Sequence, residues 1–170
     1  MENIVIRNMN KEDIPAVVDI QINGWRVAYK GIIAEEHLNA MDRDRRIKRI
    51  EQFYSKYGFI VAEHMGTVVG FANYINSNEF TPETTDADCE LSAIYVTPDL
   101  KQRGIGTKLF EHVKEKLAHK NKRQMVLWCL KDNSPSIKFY EKMGGRIVGE
   151  RVIKIGKDDY TEVCFSYDIN

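Results

Sequence analysis

The sequence predicts a single domain with an α/β fold, and two observations lead to this prediction. Short apolar runs typical of strands alternate along the chain with segments in which apolar residues recur every three or four positions. The 170 residues show no break in composition, which at this length predicts a single domain over residues 1–170. Hydrophobic residues make up 43% and charged residues 29% of the chain, as is typical of a globular protein.

The N-terminal half is predicted to contain a strand, two helices and two further strands. Residues 4–7 form the first strand, and a helix follows from Pro15 to Gly31. Gly24 lies inside this helix and weakens it by up to about 1 kcal/mol relative to Ala, which predicts a kink or a close approach there. The apolar positions that define this helix are Val17, Val18, Ile22, Trp25 and Tyr29, and the later elements are a helix over 35–56 and strands over 59–64 and 68–74.

The C-terminal half is predicted to alternate strands and helices before a closing hairpin. The polar stretch 76–88 is predicted to be a loop, and Pro98 ends the strand that follows it. The predicted elements are the strand 89–97, a helix after Gly106, the strand 124–130, the helix 133–143, and the hairpin strands 146–155 and 160–169 around the turn 156–159.

Charge balance and cysteine usage narrow the function classes. Lys and Arg together number 25, as do Asp and Glu, so no net charge draws the chain to nucleic acid. No apolar run approaches the roughly 20 residues that span a bilayer, and residues 1–4 lack signal-peptide character, so we expect a cytoplasmic protein without a membrane segment. The three cysteines (Cys89, Cys129 and Cys164) and the four histidines are scattered, so we expect neither a disulfide framework nor a metal site.

A glycine-rich turn is the strongest local signal of chemistry. Gly104 and Gly106 lie between a predicted strand and a helix, where glycine leaves the backbone N–H groups uncovered for a phosphate or diphosphate. The Walker pattern fails because Thr107 precedes Lys108, and the dinucleotide pattern fails because Leu109 occupies the place of its third glycine. A purely structural turn remains the alternative.

Two segments together resemble a known family. Residues 90–106 read ELSAIYVTPDLKQRGIG, which is similar to the coenzyme A binding motif of the GNAT superfamily of N-acetyltransferases. Residues 133–145 read NSPSIKFYEKMGG, which resembles the superfamily's Asn-x-x-Ala-x-x-Phe-Tyr-x-x-x-Gly-Phe segment. Lys101, Ser136 and Gly145 depart from the usual residues. The resemblance implies a mostly antiparallel sheet that is splayed at the cofactor site, with helices on both faces.

The resemblance also implies how acetyl-CoA is held. The backbone of Ile94, Tyr95 and Val96 pairs with the pantetheine arm as an added strand. The N–H groups from Gln102 to Thr107 take the diphosphate, with Lys101 as an additional charge. Asn133 contacts the pantetheine or adenosine side, for which the alternative is a plain helix cap. The residues of the turn are Lys101, Gln102, Arg103, Gly104, Ile105, Gly106 and Thr107.

Acetyl transfer to an amine requires proton movements, and the resemblance assigns residues to them. An alkylamine with a pKa near 10.4 is only about one part in a thousand neutral at pH 7, a deficit of roughly 4 to 5 kcal/mol. Glu90 corresponds to the superfamily's base, with Asp88 and Glu63 as weaker candidates and a structural role as the alternative. Tyr140 corresponds to the acid that protonates the departing thiolate, with core packing as the alternative. The N–H of Ile94, freed by a bulge, meets the oxyanion.

The acceptor side is less determined. Trp25 and Tyr29 lie four residues apart and are expected to line an amine pocket, while core packing is the alternative. The acidic loop with Glu79, Glu83, Asp86 and Asp88 is a second candidate for attracting an amine. The sequence therefore favours an acetyl-CoA-dependent N-acetyltransferase that acts by direct attack on a small molecule or peptide. The alternatives are another acyl group or a non-catalytic coenzyme A sensor, and a homodimer is left open.

Overall fold

One seven-stranded sheet organises the molecule. The computed structural model describes residues 3–77, 79 and 86–169. The strands are β1 (Ile4–Asn8), β2 (Gly58–His64), β3 (Thr67–Ile75), β4 (Cys89–Val96), β5 (Gln124–Leu130), β6 (Arg146–Ile155) and β7 (Asp158–Asp168). Their order in the sheet is β1-β2-β3-β4-β5-β7-β6, and every neighbouring pair is antiparallel except β4 and β5, which run parallel.

Helices cover both faces of this sheet. They are α1 (Ile14–Ala28), α2 (Glu35–Asn39), α3 (Arg43–Phe53), α4 (Ile105–Ala118) and α5 (Ser134–Lys142). On one face, α1 and α3 pack against β2 and β3 around the buried ring of Phe71. On the other face, α4 and α5 pack over a core that contains Phe110 and Phe165. Within the described residues no helix is long and apolar enough to cross a membrane.

The single helix predicted over 35–56 is wrong, because the chain forms two helices there. α2 ends at Asn39, and Asp42 then takes an extended conformation before α3. The Asp42 carboxylate accepts the backbone N–H of Arg45 at 2.9 Å, which is the bond of a helix N-cap. The apolar spacing continued across the break and therefore hid it.

The predicted hairpin is present, but its turn is shorter than expected. β7 begins at Asp158 rather than at residue 160, and only Gly156 and Lys157 separate it from β6. Gly156 has a φ of 63°, the left-handed conformation that such a short turn requires and that glycine adopts at little cost. Most of the loop predicted over 76–88 lies outside the described residues.

Gly24 allows a close approach rather than a kink. α1 runs unbroken through this position, and a Cβ there would lie 2.5 Å from Cδ1 of Tyr95. The missing side chain thus lets the ring of Tyr95 pack directly under α1. This contact joins the helix to β4 at the place where the sheet opens.

The sheet opens between β4 and β5. Their parallel pairing is limited to Cys89 with Met125 and Glu90 with Val126. Ala93 pairs with Asn73 while Leu91 pairs with Tyr74, so Ser92 is the extra residue of a β-bulge. Beyond Glu90, β4 keeps β3 on one side and, among the residues that the structure describes, has no strand partner on the other. The splayed mixed sheet expected from the resemblance is confirmed.

Candidate active site

The opening between the two strands continues into a cleft that most of the predicted site residues line. It has a volume of about 610 Å³ and is bounded by β4, β5, β7, α1, α5 and the N-terminal end of α4. Among the predicted site residues, Arg103, Ile105 and Glu90 do not line it, and Ile105 is buried in the core. The predicted residues that do line it are Trp25, Tyr29, Ile94, Tyr95, Val96, Lys101, Gln102, Gly104, Gly106, Thr107, Asn133 and Tyr140.

The glycine turn forms one end of the cleft with its backbone donors unused. Gly104 has a φ of 78° and Gln102 a φ of 60°, so the chain turns sharply into α4. Among the described residues, the N–H groups of Gln102, Gly104, Ile105, Gly106 and Thr107 donate no backbone hydrogen bond. Exposed amide donors at the positive end of a 14-residue helix are a ready site for an anion.

Tyr140 lies on α5 with its ring against Phe139 and Phe165, at centroid distances of 5.3 and 5.7 Å. The hydroxyl of Tyr167 donates to the Tyr140 carbonyl oxygen at 2.9 Å, which fixes this end of α5 to β7. A Cβ at Gly145 would lie 2.5 Å from the same hydroxyl, so the glycine leaves space for Tyr167. Burial raises the pKa of Tyr140 well above its ordinary value of 10.0, so the phenol is a stable proton donor.

Three polar side chains meet across the cleft. The hydroxyls of Tyr29 and Tyr95 lie 3.4 Å apart, within hydrogen-bonding distance. Asn133 is 3% exposed, caps α5 through the N–H of Ser136 at 3.4 Å, and also interacts with Tyr29. Burial raises the pKa of Tyr29 and that of Tyr95, so both phenols stay protonated near neutral pH. The helix cap, which was the alternative role for Asn133, is present, and the Asn133 amide also borders the cleft.

The predicted base lies next to the cleft rather than in its wall. Glu90 is 9% exposed and stands at the last position where β4 pairs with β5. Because Cys89 and Leu91 pack on the α4 side, strand alternation directs Glu90 to the α1 side, where Trp25 and Tyr29 lie.

Three of the other predicted acidic candidates bond to groups that do not line the cleft. Asp88 accepts the N–H groups of Arg123 and Gln124 at 3.0 to 3.2 Å, and Glu63 pairs with Arg7. Glu79 pairs with Lys56 at 3.1 Å. Glu83 lies outside the described residues, and Asp86 is exposed. None of Asp88, Glu63, Glu79 and Asp86 lines the cleft.

Three further residues line the cleft and were not predicted from the sequence: Trp128 and Cys129 of β5, and Glu162 of β7. Glu162 pairs with Leu130 in the β5–β7 register. The signal that could have found it is the alternation Tyr160, Glu162, Cys164, which places a carboxylate between two apolar residues on one face of the strand.

The thiol of Cys129 is not an activated nucleophile. Burial, and then the charge of Glu162, raise its pKa from 9.0 to about 12. A thiol with such a pKa is protonated near pH 7, whereas the thiolate is the reactive form. The environment of Cys129 therefore disfavours a covalent route through its thiol. Within the described residues, no three His, Cys, Asp or Glu side chains are grouped as metal ligands.

Comparisons with known proteins agree with this fold. Residues 21–145 match the Acetyltransferase (GNAT) family. The chain is 27% identical over 147 residues to the uncharacterized N-acetyltransferase YuaI of Bacillus subtilis, covering 86% of this chain and 83% of YuaI.

Solved structures show the same fold. The PaiA N-acetyltransferase of Thermoplasma acidophilum in complex with coenzyme A has a TM-score of 0.73 at 23% identity, covering 94% of this chain and 98% of that one. An N-acetyltransferase of Staphylococcus aureus Mu50 has a TM-score of 0.75 at 22% identity, covering 99% and 100%. With the family match spanning most of the chain, the protein belongs to the GNAT family of acetyltransferases.

Proposed function

We propose that the protein transfers the acetyl group of acetyl-CoA to a primary amine by direct attack in a ternary complex. One observation carries this proposal: the unused amide donors of the glycine turn and the unpaired edge of β4 face one continuous cleft that leads to Tyr140. A diphosphate on the turn and a pantetheine arm along β4 would bring the thioester to this tyrosine.

The donor site uses backbone more than side chains. Ile94, Tyr95 and Val96 offer the N–H and C=O groups of an open strand edge to the amides of pantetheine. The turn from Gln102 to Thr107 takes the diphosphate, and Lys101 adds a point charge. Arg103 and Ile105 do not line the cleft, so the contribution that we propose for them is through the backbone N–H.

The chemistry then follows from where proton donors stand. The neutral amine attacks the carbonyl carbon of the thioester, and the C–S bond breaks as the amide forms. Tyr140 donates its proton to the departing sulfur, which suits a phenol held protonated by burial. Before the attack, Glu90, at the neck of the opening, receives one proton of the substrate ammonium directly or through water. The proton that the nitrogen loses as the amide forms returns to the oxygen of Tyr140. The bulge at Ser92 supports the N–H of Ile94 as the donor to the oxyanion.

Thiol release tests this function. We expect release of coenzyme A thiol from acetyl-CoA with at least one member of a panel of primary amines, and a loss of about 100-fold or more in kcat for Tyr140→Phe. Tyr57→Phe is the control, because Tyr57 does not line the cleft and its hydroxyl bonds to Glu79. Saturable binding of acetyl-CoA without release on any amine would instead indicate a coenzyme A sensor. Equal rates for Tyr140→Phe and the parent would remove the acid assignment.

The remaining parts of the proposal concern the protein as a whole. Residues 1–170 are proposed to form one acetyltransferase domain that acts in the cytoplasm, on acetyl-CoA and an amine and not on nucleic acid. A homodimer is also proposed. Val148 and Val152 are 55% and 68% exposed on the edge strand β6, so sedimentation of the parent and of Val152→Lys tests whether this edge is the contact.

A further inference from the structure

The charged side chains of the cleft are arranged by sign. Lys101 lies on the glycine turn, and Lys142 lies at the end of α5, next to the Met143–Thr107 contact that joins α5 to α4. Glu162 is the only carboxylate among the described residues that line the cleft. The two lysines therefore face the region proposed for phosphate, whereas the carboxylate faces the acceptor region. This arrangement predicts a cationic group on the acceptor.

Glu162 is held in place by Arg151, a residue that does not line the cleft. Its Oε2 accepts the Nε–H of Arg151 at 3.0 Å, and its side chain is only 14% exposed. The same guanidinium stacks 3.9 Å from the ring centroid of Trp128, so one arginine fixes both cleft residues. A carboxylate has about four acceptor positions, so Oε1 retains capacity for a donor from the cleft side.

The negative charge of Glu162 affects the pKa of two other residues that line the cleft. After burial, which is the larger cause, the negative charge of Glu162 raises the pKa of Cys129. It also contributes to the raised pKa of Tyr29 on the opposite wall. Trp25, Tyr29 and Trp128 supply aromatic surface around this charge, and aromatic faces attract cations and pack against methylene chains.

Glu162 is not suited to be the base for the reacting nitrogen, because its carboxylate is already bound by the guanidinium of Arg151. The negative charge of Glu162 favours the protonated form of a neighbouring amine, whereas attack on the thioester needs the neutral form. Glu162 therefore suits a second ammonium that does not react. We propose that Glu162 binds the distal ammonium of an acceptor with two amino groups, which makes α,ω-diamines and related polyamines the preferred acceptor class of this enzyme.

This inference rests on the proposed function, but its test does not depend on turnover. Binding of putrescine and of its monoamine counterpart butylamine to the coenzyme A complex is measured by calorimetry. We expect putrescine to bind about tenfold or more tightly, because one charge-assisted contact contributes about this factor. Equal binding of the two amines, or binding of neither, would overturn the inference whatever the behaviour of any variant.

Two variants then locate the contact. Glu162→Gln keeps the shape of the side chain and removes its charge, so the preference for putrescine should disappear while butylamine binds as before. Glu150→Gln is the matched control, since Glu150 is an exposed carboxylate on β6 paired with Lys131. Coenzyme A affinity and the melting temperature report whether each variant is folded. A putrescine preference retained in folded Glu162→Gln would refute the assignment. Absence of thiol release with all amines would instead count against catalysis.

Discussion

Replacing Gly104 with Ala tests the phosphate turn, because the structure separates the cost to folding from the cost to binding. Gly104 has a φ of 78°, and an added Cβ would meet no atom within 4 Å. The substitution therefore creates no clash and strains the backbone alone. An L-residue in the left-handed region costs about 1 to 2 kcal/mol. For a chain of this length, that corresponds to a melting temperature lower by roughly 2 to 8 °C.

The effect on coenzyme A should be larger than this strain alone would cause. The new methyl group would stand at the mouth of the row of amide donors, and relaxation toward negative φ would turn an N–H away from the ligand. Hydrogen bonds to charged groups contribute about 1.5 to 3 kcal/mol each. Loss of one such bond would raise the Kd of coenzyme A about 10- to 150-fold.

Gly31→Ala is the matched control for this experiment. Gly31 has a φ of 76°, is exposed and also has no atom within 4 Å of an added Cβ. Both variants should melt at similarly lowered temperatures, whereas calorimetry should show weaker coenzyme A binding for Gly104→Ala alone. Equal affinities in the two variants would refute the assignment of the turn.

Three other predictions follow from the packing and the titrating groups. Gly24→Ala should destabilise the fold by about 1 to 3 kcal/mol in urea unfolding, because its Cβ would meet the Tyr95 ring at 2.5 Å; an unchanged midpoint would contradict this contact. The hydrogen bond from Arg7 is the main cause that lowers the pKa of Asp13 below its ordinary value of 3.8. Asp13→Asn should therefore be less stable than the parent at pH 7, and this difference should vanish as the pH falls from 3.8 through the lowered pKa of the folded state. Since burial raises the pKa of Tyr140, kcat should show no loss from tyrosine ionisation up to about pH 10, and a fall with an apparent pKa below this would disagree.

The donor half of the site was predictable because its signals are local. Gly104 and Asn133 perform their structural roles within a few residues of themselves, in a turn and a helix cap. Such roles leave a pattern in the sequence that needs no knowledge of the sheet. The two motifs also fixed the fold class, since each joins a strand to a helix.

The acceptor half was not predictable because it is assembled from distant strands. Glu162 reaches the cleft only because β7 inserts between β5 and β6, and Arg151 reaches Trp128 across that insertion. Periodicity gives the face of a strand but not its neighbour. The break between α2 and α3 was missed for a related reason, because the cap of Asp42 interrupts the helix without interrupting the apolar spacing.

A crystal structure with coenzyme A bound would test directly whether the glycine turn binds the diphosphate. We expect diphosphate oxygens within hydrogen-bonding distance of the N–H groups between Gln102 and Thr107. The pantetheine arm should lie along the open edge of β4, with its sulfur facing Tyr140. A diphosphate held elsewhere, with these amides turned away from the ligand, would contradict this expectation.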